Sequence, residues 1–362
     1  MMVAVDFFCG AGGTTCGLLA AGIDVMCGVD VDLSAKETYE QNQRPNGTPC
    51  TFIHKSVVDV AENDLSACLT LRRDAPVLFT GCPPCQPFTN LKTDKRSQGN
   101  SSQLALRFLD QICQHKPEYV LMENVPGIRH EKYGTVFAEF IDRLATEKYS
   151  LDYRVLNARD YGVPQSRRRM ILIASLLGPI RIPKPSHRAE FRPHIGAEAA
   201  FRFPGISAGA CHPTIPNHRS ACLSETNLCR IRAIKTPGGS RNVWDDELQL
   251  SCYRNHTGHT DVYGRIDPKQ PAPTLTTRFN SLSNGRFGHP TEDRALSLRE
   301  GAALQTFPDD YVFHGANAKT VARHIGNAVP VLLATALGSA LLAHYAEQAV
   351  PPTAIETSPG AN

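Results

Sequence analysis

Val3-Ala4-Val5-Asp6-Phe7-Phe8-Cys9-Gly10-Ala11-Gly12-Gly13 is an apolar run of strand length that breaks at once into a glycine-rich turn. Gly13 to Ala21 then reads as a helix, so the unit is strand, glycine loop, helix. Such a loop lets a ligand approach the backbone closely and aims helix N–H groups at an anionic group. A dinucleotide fingerprint would need glycine where Thr15 stands. The loop therefore suits an adenosyl cofactor better than a pyrophosphate.

The same alternation continues outward. Ile23 to Val29 reads as a strand and Leu33 to Gln43 as a helix. A short strand at Pro76–Thr80, a helix at Gln103–His115, a strand at Tyr119–Glu123, a helix at Thr135–Lys148 and a strand at Arg168–Ser175 follow. This βαβα order predicts a parallel, doubly wound α/β sheet. In open sheets of that kind ligands bind beyond the carboxyl ends of the strands. Every suggestive residue falls there: the glycine loop, Asp30 in the position that takes ribose hydroxyls, Cys85, and Glu123. Cys85 lies in Gly81-Cys82-Pro83-Pro84-Cys85-Gln86-Pro87, where prolines exclude a helix and present the thiol on a stiff loop. A thiol and a carboxylate at two strand ends suggest a nucleophile with an acid partner. Taken alone, Cys82-x-x-Cys85 also allows a redox pair or half a zinc site. Zinc lacks a second ligand pair, and Gln86-Pro87-Phe88 is a poor start for the helix a redox pair usually opens.

The 362 residues can bury a full core, and 20% charged with 41% hydrophobic residues is ordinary for a globular protein. The start has no basic region, the 12 cysteines show no disulfide framework, and the apolar run Val331–Tyr345 is too short to span a bilayer. These features predict a cytoplasmic protein without a membrane partner. Net charge is +3, but residues 181–290 hold 12 Arg, 3 Lys and 8 acidic residues, a local +7. That segment is Pro- and Gly-rich with little periodicity, so it reads as an irregular basic lobe for nucleic acid. His256–Asp261 and the set Cys211, His212, His218, Cys222 and Cys229 lack regular ligand spacing, so no metal is expected. The expected domains are 1–178, a small domain 179–290, a returning segment 291–349, and a disordered tail 350–362.

The chain resembles the cytosine-5 DNA methyltransferases. The resemblance rests on Asp6 to Gly13, Cys82-Pro83-Pro84-Cys85-Gln86, Glu123-Asn124-Val125, Gln165-Ser166-Arg167-Arg168-Arg169, Pro271 to Thr277, and Gly326-Asn327-Ala328-Val329-Pro330, in the family's order. It implies a Rossmann-like methyltransferase domain with a smaller target-recognition domain, and S-adenosyl-L-methionine as cofactor. Phe8, Gly10, Ala11, Gly12, Gly13, Asp30, Val31, Ser56, Val57, Pro83, Asn327 and Val329 would contact that cofactor. Ser56 departs from the aspartate often found there, which puts the adenine contact in doubt.

The resemblance further implies that the Cys85 thiolate adds to carbon 6 of a cytosine swung out of duplex DNA. Glu123 would carry or share a proton with ring nitrogen 3, while Arg167 and Arg169 would sit close to the ring. Arg168, pointing the opposite way, is the better phosphate contact. Asn124 would organise its loop, and Phe88–Ser102, with Lys92, Lys95 and Arg96, would close over DNA. A monomer at the bacterial nucleoid is expected, as the modification half of a restriction system whose endonuclease makes no stable contact. The rivals are a tRNA cytosine methyltransferase, a non-catalytic DNA-binding regulator, and a nicotinamide dehydrogenase.

Overall fold

A computed structural model of the chain describes residues 1–42, 47–69, 75–84, 98–129, 134–188, 190–250 and 261–349. Its centre is a seven-stranded sheet built from β1 (Val3–Phe7), β2 (Asp24–Asp30), β3 (Thr51–His54), β4 (Val77–Gly81), β5 (Tyr119–Asn124), β6 (Ser150–Asn157) and β8 (Arg168–Ser175). The spatial order is β3-β2-β1-β4-β5-β8-β6. β7 (Gln165–Ser166) and β9 (Ala272–Pro273) form a separate two-stranded ladder. The expected α/β fold is present, with one correction to the sheet. β1 to β5 run parallel, but β8 lies antiparallel between β5 and β6. Only ten residues separate β6 from β8, too few for the crossover that a parallel neighbour needs.

Side chains alternate across the strands into two cores. Ala4, Leu78, Leu121 and Ile171 face one way and meet Leu18 of α1 (Gly13–Ala21) and Leu333, Leu337 and Leu341 of α9 (Val331–Ala349). Val5, Phe79, Val120 and Leu172 face the other way, toward Phe108 and Leu109 of α4 (Gln98–His115) and Phe140 of α5 (Gly134–Thr146). Parallel strands buried on both faces read as continuous apolar runs, which is why they were legible.

A third core joins Ala11 of the glycine loop to Ala197, Phe279, α7 (Leu298–Leu304), Phe307, Tyr311 and Ile325. A fourth, smaller one gathers Ile231, Ile234, Trp244, Tyr263 and Leu282 within the basic segment. Ala318–Ala349 as one run is long and apolar enough to cross a membrane. It breaks, however, after α8 (Ala318–Asn327), and α9 buries one side against α1. Pro330 cannot continue α8, and Gln305 Nε2 donates to the Ile325 and Ala328 carbonyls left open at that end.

Candidate active site

The parallel strands deliver their carboxyl ends to one rim. There the chain leaves β1 with Phe8 at φ 59°, Gly10 at 49° and Gly12 at 85°. For Phe8 this left-handed conformation costs about 1 kcal/mol or more, so the surroundings must impose it. Asp30 at the end of β2 helps, accepting from Gly10 N and Asp32 N, both at 2.8 Å. Burial pushes the Asp30 carboxyl up, against the lowering effect of those two N–H groups. A side chain on Gly10 would project into open space, so the loop offers bare backbone outward. One on Gly13 would strike the Val329 carbonyl at 2.7 Å; glycine there lets the turn after Asn327 seat on the start of α1. Val31 is 69% exposed on the same rim.

Beneath the loop lies a buried polar layer. Thr15 donates to Asp6 at 2.7 Å and lies 3.0 Å from the Tyr39 hydroxyl. Burial pushes the Asp6 carboxyl up to about 7, although the Thr15 hydrogen bond opposes the shift. Tyr311, some 300 residues away in sequence, donates its hydroxyl to the Ala11 carbonyl at 2.6 Å.

At the next strand ends, Arg169 Nε lies 2.7 Å from Glu123 Oε1, each side chain 13% exposed. Asn124 donates to the Pro83 carbonyl at 3.1 Å and accepts from Val125 N, so it ties the β5 end to the Cys82–Pro84 turn. Burial pushes the Cys82 thiol well above its ordinary value, and the nearby Glu123 carboxylate adds to the effect. Cys82 is therefore a poor thiolate. Cys85, and the segment with Lys92, Lys95 and Arg96, lie outside the described residues.

The family model for C-5 cytosine-specific DNA methylases matches residues 2–343. The chain belongs to that family. The Type II methylase M.HgiDII of Herpetosiphon aurantiacus is 39% identical over 346 residues, covering 93% of this chain and 94% of the relative. The Type II methyltransferase M1.HphI of Haemophilus parahaemolyticus is 31% identical over 343 residues, covering 93% and 86%. Among solved structures, an E. coli prophage protein described as a DNA modification methyltransferase has a TM-score of 0.73 at 22% identity, covering 95% of this chain and 99% of that one. It is a likeness of fold.

The methylase's structure gives one expected site residue a bracing role. Arg167 is 2% exposed and donates to the carbonyls of Leu275 and Gly326 at 3.2 and 3.0 Å. It braces β7 to the segment after β9 and to the end of α8. Backbone alternation then sends Arg168 outward, exposed, and Arg169 to Glu123. Val57 is buried in the sheet core, so a contact from it would come through its backbone. Ser56 Oγ accepts from Val58 N at 3.4 Å, a turn cap. Asn327 is exposed at the end of α8, and Val329 is buried beside Gly13. Of the histidines, His218 donates to the Pro204 carbonyl and pairs with Ser297 Oγ, while residues 251–260 are outside the described set.

Several bracing residues had no reading in the sequence. Gln165, fully buried, donates to Leu304 O and Gln305 Oε1 and accepts from Leu275 N. Arg299 donates to the Pro216, Pro308 and Tyr311 carbonyls and to Asn217 Oδ1. Arg294 forms a bidentate pair with Glu300 at 2.8 and 2.7 Å. The only available signal was charge or amide within otherwise apolar segments, such as Arg299-Glu300 ahead of Gly301-Ala302-Ala303-Leu304.

Proposed function

We propose that this methylase binds S-adenosyl-L-methionine along the glycine loop and methylates carbon 5 of a cytosine flipped from duplex DNA, as the modification enzyme of a restriction system. The Glu123–Arg169 pair, held against the Cys82–Pro84 turn at the strand ends, is the observation that carries the reading. The donor fits the residues present: bare backbone at Gly10, carboxylate oxygens at Asp30 with lone pairs to spare for ribose hydroxyls, and an exposed apolar Val31 for the base. Phe8, Ala11, Gly12, Gly13, Ser56, Pro83, Asn327 and Val329 line or support that cradle. When bound, the donor supplies an electrophilic methyl group.

Cys85 provides the nucleophile. An ordinary thiol is only a few per cent ionised at neutral pH, so a cation near it is needed. Arg169 is the guanidinium at hand, and it also suits the cytosine carbonyl oxygen. As the sulfur bonds to carbon 6, the 5,6 double bond opens and its electrons become available at carbon 5. Glu123, taking up a proton as the base enters, donates it in a hydrogen bond to ring nitrogen 3 and so draws charge from carbon 6. After transfer, a water takes the carbon-5 proton, the C–H electrons re-form the 5,6 double bond and the sulfur leaves carbon 6 as thiolate. Residues 179–290 select the target sequence.

A duplex with 5-fluorocytosine at the target tests this. Fluorine cannot leave as a proton does, so wild type should form an adduct that survives denaturing electrophoresis, and Cys85→Ser should form none. A wild-type enzyme that methylates duplex DNA without trapping would refute the covalent route. Labelled-methyl transfer to tRNA but not DNA would refute the substrate.

A further inference from the structure

Resting on the reading that duplex DNA is the substrate, we propose that Arg188, Phe191 and Arg192 together grip the sugar–phosphate backbone beside the target sequence. Phe191 N and Arg192 N both donate to the Arg188 carbonyl at 3.0 Å, closing a tight turn. At its tip Phe191 is 77% exposed, the most exposed large apolar side chain among the described residues. One exposed phenyl is ordinary by itself. This one stands beside the exposed Glu190 and between two exposed arginines, and no described carboxylate, Glu190 included, forms an ion pair with either, so the turn keeps a net positive charge.

The loop's base is fastened at both ends to the turn that follows β6. Ser186 N and His187 N donate to the Asp160 carbonyl at 3.0 Å, and His194 Nε2 lies 2.9 Å from Asp160 Oδ1. That turn is on the active-site rim. Asn157, the last residue of β6, sits opposite Arg168, and β8 separates it from β5, where Arg169 meets Glu123. Glu123 is level with Arg154, so two strand spacings of about 4.8 Å and three residues of about 3.3 Å along β6 put Asn157 roughly 14 Å from Glu123. A single strand advances about 3.4 Å per phosphate, so the loop meets the duplex about four or more steps from the flipped base. Two guanidiniums flanking a phenyl suit two phosphates with the sugar between them. The loop thus adds affinity without reading sequence.

The test uses the full chain as wild type, as Arg188→Gln/Arg192→Gln, and as Phe191→Ser. All three sites are exposed, so folding is preserved. Fluorescence anisotropy measures binding to duplexes that carry the target with either two or ten flanking base pairs, across 50–200 mM salt. The arginine variant should lose about 1.8 from the slope of log K against log salt, at about 0.9 per phosphate. It should also lose the wild type's preference for the longer flank. Phe191→Ser should weaken long-flank binding several-fold with the slope unchanged, and turnover at saturating DNA should stay at the wild-type rate in both. Wild-type slopes and flank preference in the variants, with duplex methylation intact, would overturn the loop's role alone. Loss that appears with tRNA instead of DNA, or a wild type that leaves duplex unmethylated, would overturn both readings.

Discussion

Tyr311→Phe removes one oxygen atom from a residue that touches neither proposed substrate. The hydroxyl donates to Ala11 O at 2.6 Å from a side chain that is 7% exposed. Without it the Ala11 carbonyl loses its donor in a dry site, at a cost of about 1–3 kcal/mol. The ring packs on Phe307 and Phe313 and is kept in the variant, so the apolar packing beneath the loop remains. The loop keeps Gly10 N to Asp30 and Cys9 N to the Val29 carbonyl, neither of which reaches Ala11, and its conformation includes Phe8 at φ 59°. The cost should therefore be felt as loss of loop order, which cofactor binding must restore. At about 1.4 kcal/mol per tenfold, affinity for S-adenosylhomocysteine should fall by roughly 5- to 150-fold. Calorimetric titration gives that number; steady-state kinetics should show KM for the methyl donor raised, with KM for DNA unchanged. Unaltered cofactor affinity alongside a lowered melting temperature would refute the argument, because the hydroxyl would then be serving the core and not the loop.

Arg167→Ala should cost roughly 2–6 kcal/mol in urea unfolding, since it strands two buried carbonyls at about 1–3 kcal/mol each, whereas Arg169→Ala unpairs Glu123 and should lower kcat by about 10²–10³ in protein that is still folded. Asp6→Asn addresses a carboxyl pushed up to about 7 from an ordinary 3.8. A raised carboxyl contributes stability below its unfolded value and loses it as pH rises through 7. The variant should therefore gain on wild type by about 3 kcal/mol between pH 5 and pH 8 in denaturant titrations, and a constant difference would count against it. Burial pushes Glu300 up, but Arg294's hydrogen bonds and charge outweigh this and hold its carboxyl below the ordinary range. That pair's stability is present above about pH 4.5 and lost as pH falls further. Glu300→Gln should lower stability at pH 7 by about 3–5 kcal/mol and flatten the acid limb of the unfolding curve.

The sequence by itself determined the α/β class, the glycine loop, and the set of strand ends on which Asp30 and Glu123 stand. These are local facts: apolar runs of strand length, and residues that break them. It also held a signal that went unread, since Leu151, Tyr153 and Val155 alternate with Asp152 and Arg154 along β6. Tertiary structure decided what depends on closing the chain over long distances. The antiparallel place of β8 between β5 and β6 depends on the free edge of β5 and on the short return from β6, and neither is visible in an eight-residue apolar run. Arg167 and Arg169 are chemically identical, and only the approach of Leu275 and Gly326 makes one a brace while Glu123 claims the other. The Tyr311 hydroxyl meets the Ala11 carbonyl because a third hydrophobic core brings the C-terminal segment back under the loop. Periodicity encodes which face of an element is buried; it carries no information about which distant atom completes a buried hydrogen bond, and that is what shapes this site.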